Sequence, residues 1–123
     1  MIERGTYRIV YKGGDPRFHM EGDRWPSPVA DCSETGLCFV RAGSESRMLE
    51  PGDRVAGEMR FCNGRRVRVS GRVVRVRGTE IALNLDEAPI PFYDVMREQI
   101  FLRRTFEAPR LTKASDRLSV GGD

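Results

Sequence analysis

The chain has 123 residues, 39% of them hydrophobic, and 21 basic against 18 acidic side chains, a formal charge of +3. One domain with a modest core fits that length, which excludes a two-domain enzyme with an interdomain cleft. No uncharged run approaches the roughly 20 apolar residues of a membrane-spanning helix. Glu3, Arg4, Arg8 and Lys12 interrupt any apolar leader, so a cytoplasmic location is expected.

The first dozen residues are charged and carry Tyr7, and Gly13-Gly14-Asp15-Pro16 is a turn signal. Arg17-Phe18-His19-Met20 suits a short strand. In Trp25-Pro26-Ser27-Pro28 the prolines predict an extended path outside any central strand, with Trp25 packing at a rim. Leu37-Cys38-Phe39-Val40 is the next apolar run. Cys32, Cys38 and Cys62 form no metal-binding spacing and read as reduced core thiols.

From Val55 the alternation is clean. Val55, Gly57, Met59 and Phe61 lie on one face, with Arg54, Glu58 and Arg60 on the other. Asn63-Gly64 predicts a type I′ hairpin turn. Val67 and Val69 then oppose Arg66 and Arg68, and the period slips at Val73-Val74, which predicts a bulge. Beyond it Val74 and Val76 should face inward, opposite Arg75 and Arg77. Ile81, Leu83 and Leu85 complete a third alternating strand. With two or three shorter strands before them, these predict a small closed or nearly closed β-barrel. Residues 54–80 hold 8 arginines and only Glu58 and Glu80, whereas residues 1–47 balance at 7 basic and 7 acidic. The arginine-rich strands have two readings: an ordinary wet face, or a surface for RNA or single-stranded DNA. The missing interleaved aromatics count against nucleic acid, which is not an expected partner. After Pro91, apolar residues at three- and four-residue spacing from Phe92 to Phe106 predict a helix packed on the barrel.

Catalytic signals are absent from the sequence. There is no phosphate-binding loop, His19 is the only histidine, and no nucleophile has a base beside it. The chain is therefore not expected to be an enzyme, and neither a metal nor a cofactor is expected. Two motifs remain: Arg4-Gly5-Thr6-Tyr7-Arg8, and Asp31-Cys32-Ser33-Glu34-Thr35-Gly36 after 22 intervening residues. An arginine fork matches guanine O6 and N7 or a phosphate, and a carboxylate accepts from guanine N1–H and the N2 amino group. The Ser33 hydroxyl adds a bond to base or phosphate, and Gly36 lets backbone approach a ligand. The set suits a small ligand bearing both guanine and phosphate. Charges on a frayed terminus, for Arg4 and Arg8, and a capped turn, for Asp31 and Ser33, are the structural alternatives.

These two motifs, in this order and spacing, resemble the PilZ domain family. The likeness extends through Leu37-Cys38-Phe39, Gly71-Arg72-Val73-Val74, Ile90-Pro91-Phe92 and Glu98-Gln99, over about residues 3–106. The resemblance implies a six-stranded antiparallel β-barrel with a C-terminal helix, here residues 1–106, leaving 107–123 as a mobile tail. It implies a receptor for the bacterial second messenger cyclic di-GMP. Arg4 and Arg8 would lie on an arm that closes over the ligand, and Asp31, Ser33 and Gly36 on the barrel surface. Its implied partner is a protein of motility, pilus or exopolysaccharide control, and a PilZ-fold adaptor that binds no ligand is the alternative. Where many members carry another arginine before the first motif arginine, this chain has Glu3.

Overall fold

Outward arginines alternating with inward valines become the wall of a closed barrel. The computed structural model describes residues 7–41 and 48–107. Its strands are β1 (Ile9–Val10), β2 (Arg17–Met20), β3 (Ser27–Cys32), β4 (Gly36–Val40), β5 (Arg54–Arg60), β6 (Arg66–Arg77) and β7 (Glu80–Ala88). All pairings are antiparallel, in the order β1-β3-β2-β5-β6-β7-β4, and a β3–β4 pairing closes the ring. β1 and β2 follow one another along a single edge of β3: Val10 opposes Asp31, and Arg17 opposes Pro28. They make one interrupted stave, so the wall is the expected six-stranded antiparallel barrel. Phe18, Cys32, Leu37, Phe39, Met59, Val69, Val73 and Leu85 fill its interior.

Three local details depart from the expectations. Pro28 lies inside β3, a strand paired on both edges. It fits because the bond beside the Arg17–Pro28 pair is donated by Val29 N–H to the Pro16 carbonyl, 3.1 Å away, so Pro28's missing N–H is not called on. Around Asn63-Gly64 the turn is not type I′, since only Gly64 has a positive φ, of 95°. Phe61 N–H donates to Arg65 O at 2.9 Å and Gly64 N–H to Phe61 O at 3.0 Å, a longer loop with the glycine in the bulge position. The N–H groups of Cys62 and Asn63 are aimed instead at the Glu98 carboxylate. The slip at Val73-Val74 is a bulge, since Val73 faces Leu83 and Arg75 faces Ala82. Val74 is the extra residue and stays exposed, and Val76, at the hairpin end, is only partly covered.

β6 crosses β7 most closely at Gly71, where a Cβ would sit 1.8 Å from the Asn84 carbonyl oxygen. Only a residue without a side chain admits that crossing. Helix α1 (Phe92–Leu102) starts directly after Pro91, whose carbonyl accepts from Asp94 and Val95 N–H at 3.0 and 3.2 Å. A π-helical stretch, Arg103–Glu107, follows it. Val95 and Leu102 pack on the core as the apolar spacing predicts, while Ile100 points outward. The buried face also holds two acids, Asp94 and Glu98.

Candidate functional site

Pairing of β1 with β3 brings Arg8 of the first sequence motif to Asp31 of the second. Arg8 precedes β1, Asp31 lies on the outer side of β3 next to the fully buried Cys32, and Arg8 Nη1 donates to Asp31 Oδ1 at 2.8 Å. The side chains are 58% and 22% exposed, so the arginine lies over a half-sheltered carboxylate. Among the described residues, the hydrogen bond to the Asp31 carboxylate is the one from Arg8 to Oδ1. Arg4 lies outside the described residues.

Ser33 and Gly36 form the turn that carries the chain from β3 to β4. Ser33 N–H donates to Gly36 O at 2.8 Å, and Gly36 N–H donates to Ser33 Oγ at 3.0 Å. The serine is buried and its oxygen is engaged as an acceptor, leaving the hydroxyl proton as its free bonding capacity among the described residues. A Cβ on Gly36 would stand 3.3 Å from that Oγ. A side chain at Gly36 would crowd the Ser33 hydroxyl, and no unusual φ is involved. The tip is anchored from outside as well: Thr35 O accepts from Leu85 N–H at 2.8 Å and Glu34 O from Ile90 N–H at 2.9 Å. Asp31 therefore projects from a framework fixed on both sides.

Register extends the surface around Asp31. The outer row runs Val10, Asp31, Cys38, Ala82, Arg75 across four antiparallel pairings. The neighbouring row joins Gly36, Asn84 and Arg72. Arg72, Arg75 and Asn84 are exposed beside the motif residues. Alternation alone assigned both arginines to the wet face; their nearness to Asp31 depends on the β4–β7 and β6–β7 registers, which include a bulge. Cys38, directly opposite Asp31, donates to Glu80 Oε2 at 3.2 Å. Burial first, and that hydrogen bond next, push its thiol up to about 11.

Residues outside this surface are occupied structurally. Tyr7 packs on Phe92 of α1, with ring centroids 5.6 Å apart. His19 is bound through Nε2 to Asp23 O at 2.9 Å and through Nδ1 to Arg60 at 3.4 Å. All three cysteines are unpaired thiols, and among the described residues no cluster of His, Cys, Asp and Glu could hold a metal. Trp25 does not pack at the rim: it is 60% exposed, with the Arg24 guanidinium 5.9 Å from its ring centre. With a proline following, Trp25 has no strand to bring it onto the core. An open groove of about 590 Å³ between Met20–Asp23, Arg54–Ala56, Ser70 and Glu87 shares no residue with the Asp31 surface. Among the described residues, no helix is long and apolar enough to cross a membrane.

No curated protein matches the chain. The family model described as PilZ domain matches residues 3–102, which contain both motifs, all seven strands and α1. With the closed barrel and C-terminal helix beside that match, the chain belongs to the PilZ domain family, non-catalytic receptor and adaptor domains of cyclic di-GMP signalling.

Proposed function

We propose that this protein is a cyclic di-GMP receptor that signals by ordering its N-terminal arm and thereby changing a surface read by a partner protein. The observation that carries this reading is the 2.8 Å pair between Arg8 of the arm and Asp31 of the barrel, at motif positions within the family match. A guanine would donate N1–H and its N2 amino group to the Asp31 carboxylate, and Arg8 would turn to guanine O6 and N7 or to a phosphate. Arg4 would add a second fork from the arm. Ser33 would donate its hydroxyl proton, and Gly36 would keep the turn low enough for ligand and backbone to meet.

The exchange is favourable on simple grounds. An exposed ion pair contributes at most about 1 kcal/mol, so giving up the Arg8–Asp31 contact costs little. What replaces it is a set of charge-assisted hydrogen bonds, each about twice as strong as a neutral one. The ligand shifts the arm only as far as it binds the closed form better than the open one. The receptor would act in the cytoplasm on a protein of motility, pilus or exopolysaccharide control, with residues 1–106 as the module and 107–123 as its tail.

Calorimetry with cyclic di-GMP tests the reading. Binding is expected in the wild type, with a loss of about 2 kcal/mol or more in Arg8→Ala and in Asp31→Ala, the cost of truncating one side of a charged hydrogen bond. Absence of heat at about 100 µM ligand, well above the range of a useful receptor, would overturn it in favour of a ligand-free adaptor.

A further inference from the structure

Glu98 is fully buried on α1, and the hydrogen bonds its carboxylate accepts come from outside its own helix. Tyr11 Oη donates to Oε2 at 2.8 Å, Cys62 N–H to Oε2 at 2.8 Å, and Asn63 N–H to Oε1 at 3.1 Å. The last two fix the carboxylate to the β5–β6 loop. Asp94, one turn earlier and also buried, reinforces that fixing by accepting from Arg65 Nε at 2.9 Å. The first bond does something different, because Tyr11 belongs to the arm.

Tyr11 is three residues beyond Arg8, and its N–H continues the β1–β3 ladder to Ala30 O at 3.0 Å. Its hydroxyl also lies 3.7 Å from Cys32 Sγ, and Cys32 adjoins Asp31. The arm meets the helical segment at two further places. Tyr7 packs on Phe92, and Gly13 lies against Phe106, whose ring is 3.4 Å from the position of a Cβ. Packing contacts of this kind tolerate sliding along the helix. A hydrogen bond from a phenol to a carboxylate that is itself held by two backbone donors does not.

We infer that Glu98 is a positioning residue of the ligand site: through Tyr11 it fixes the register at which Arg8 meets Asp31, and so links ligand affinity to the seating of α1. This deepens the receptor reading and rests on it. Linkage is reciprocal. A partner that moves α1 changes the affinity for ligand by the factor with which ligand changes the affinity for that partner. The exposed side of α1, where Arg97 Nη1 bonds Tyr93 Oη at 2.9 Å beside Ile100, is the surface on which that coupling would be read.

The test uses the full chain and Tyr11→Phe, which keeps the ring and deletes only the hydroxyl, with Glu98→Gln as the second variant. Without ligand, amide exchange at Ile9, Val10 and Tyr11 should quicken in both variants while Ile81 and Leu83 keep wild-type rates. The dissociation constant for cyclic di-GMP should rise about tenfold, the scale of one hydrogen bond to a charged group. Saturating ligand should slow exchange in α1 of the wild type and leave α1 of Tyr11→Phe unmoved. Wild-type arm exchange in Tyr11→Phe, acceleration spread equally to Ile81 and Leu83, or an α1 response that survives the substitution would each overturn the inference. Should the wild type give no binding heat, the receptor reading fails, and the ligand-free exchange comparison still decides whether Tyr11 and Glu98 fix the arm.

Discussion

Arginine is most abundant on one wall of this barrel, while on another a single arginine makes the proposed ligand contact. Across β2, β5 and β6, Arg17, Arg60 and Arg66 stand in one row, and His19, Glu58 and Arg68 in the next. Side-by-side cations repel, and here carboxylates interrupt them: Arg17 bonds Asp15 at 2.8 Å, Arg60 bonds Glu58 at 2.9 Å, and Arg68 pairs with Glu21. Arg60 hydrogen bonding, with the charges of Arg66 and Arg68 behind it, holds the Glu58 carboxyl below its ordinary value. These pairs are open to water and screened, so each is worth little. Along β1 and β3 the described residues show one pair, Arg8–Asp31, in a segment whose formal charges cancel. It joins two parts of the chain separated by 23 positions, over a turn tied down by three backbone–backbone bonds and one from Gly36 N–H to the Ser33 hydroxyl. Surplus charge describes a solvated wall; a charge placed by register on a fixed framework marks the proposed site.

The sharpest way to break that contrast leaves the arginines alone. Gly71→Ala puts a methyl into the Asn84 carbonyl, and denaturant unfolding should show a loss of about 3 kcal/mol or more, the upper range for overpacking. A milder cost would mean that the arginine-rich hairpin yields more easily than the close crossing implies. Next comes ligand binding, where Asp31→Ala and Arg8→Ala should each lose about 2 kcal/mol by calorimetry.

The third effect is a dependence on alkaline pH. Burial pushes the thiols of Cys32 and Cys62 from the ordinary 9.0 up to about 12, with the Glu98 carboxylate adding to the rise at Cys62. Tyr11 is raised as well, again by burial first. The folded chain thus holds these protons more tightly than the unfolded one. Their contribution to stability is full below about 9.0 and is lost as pH rises from there toward about 12. Unfolding midpoints should fall between pH values of about 8 and about 10.5, and Cys32→Ala should flatten the slope. The smallest effect is expected on the crowded wall. Arg66→Gln and Arg68→Gln should each change stability by no more than about 0.5 kcal/mol and leave cyclic di-GMP affinity within about twofold. A tenfold loss in either would extend the ligand surface along β6 beyond Arg72 and Arg75 to its Arg66 end and erase the distinction between the walls.

Much of the wall was legible in the sequence because alternation is a local signal. Val55, Met59 and Val69 face inward as their spacing requires, and the lost beat at Val73-Val74 marks a bulge. The errors occurred where a distant partner decides. Asn63-Gly64 suits a two-residue turn until Glu98, 35 positions away, claims the loop's N–H groups. Pro28 argues against a paired strand unless the register is known to spare its nitrogen. Asp94 and Glu98 resemble the polar side of an amphipathic helix, and only the fold reveals the donors that let both be buried. At the site, the residue types of Arg8, Asp31, Ser33 and Gly36 suggested their chemistry. The neighbouring Arg72, Arg75 and Asn84 could not be read, since their place follows from pairings across three strands.

Closure of the ring through β3 and β4 has a consequence for how this module can meet other proteins. An open sheet offers a row of backbone donors and acceptors to any passing strand, and recognition by strand addition follows. Here β3 uses one edge for β4 and the other for β1 and β2 in turn, and β5, β6 and β7 are each paired on both sides. Around the ring, backbone hydrogen bonding is committed except along the outer edge of β1, two residues long and too short to template a strand. Partners must then be chosen by side chains, which can be exchanged one at a time without disturbing the ladder beneath them. One fold can in this way serve different partners while the surface around Asp31 stays the same.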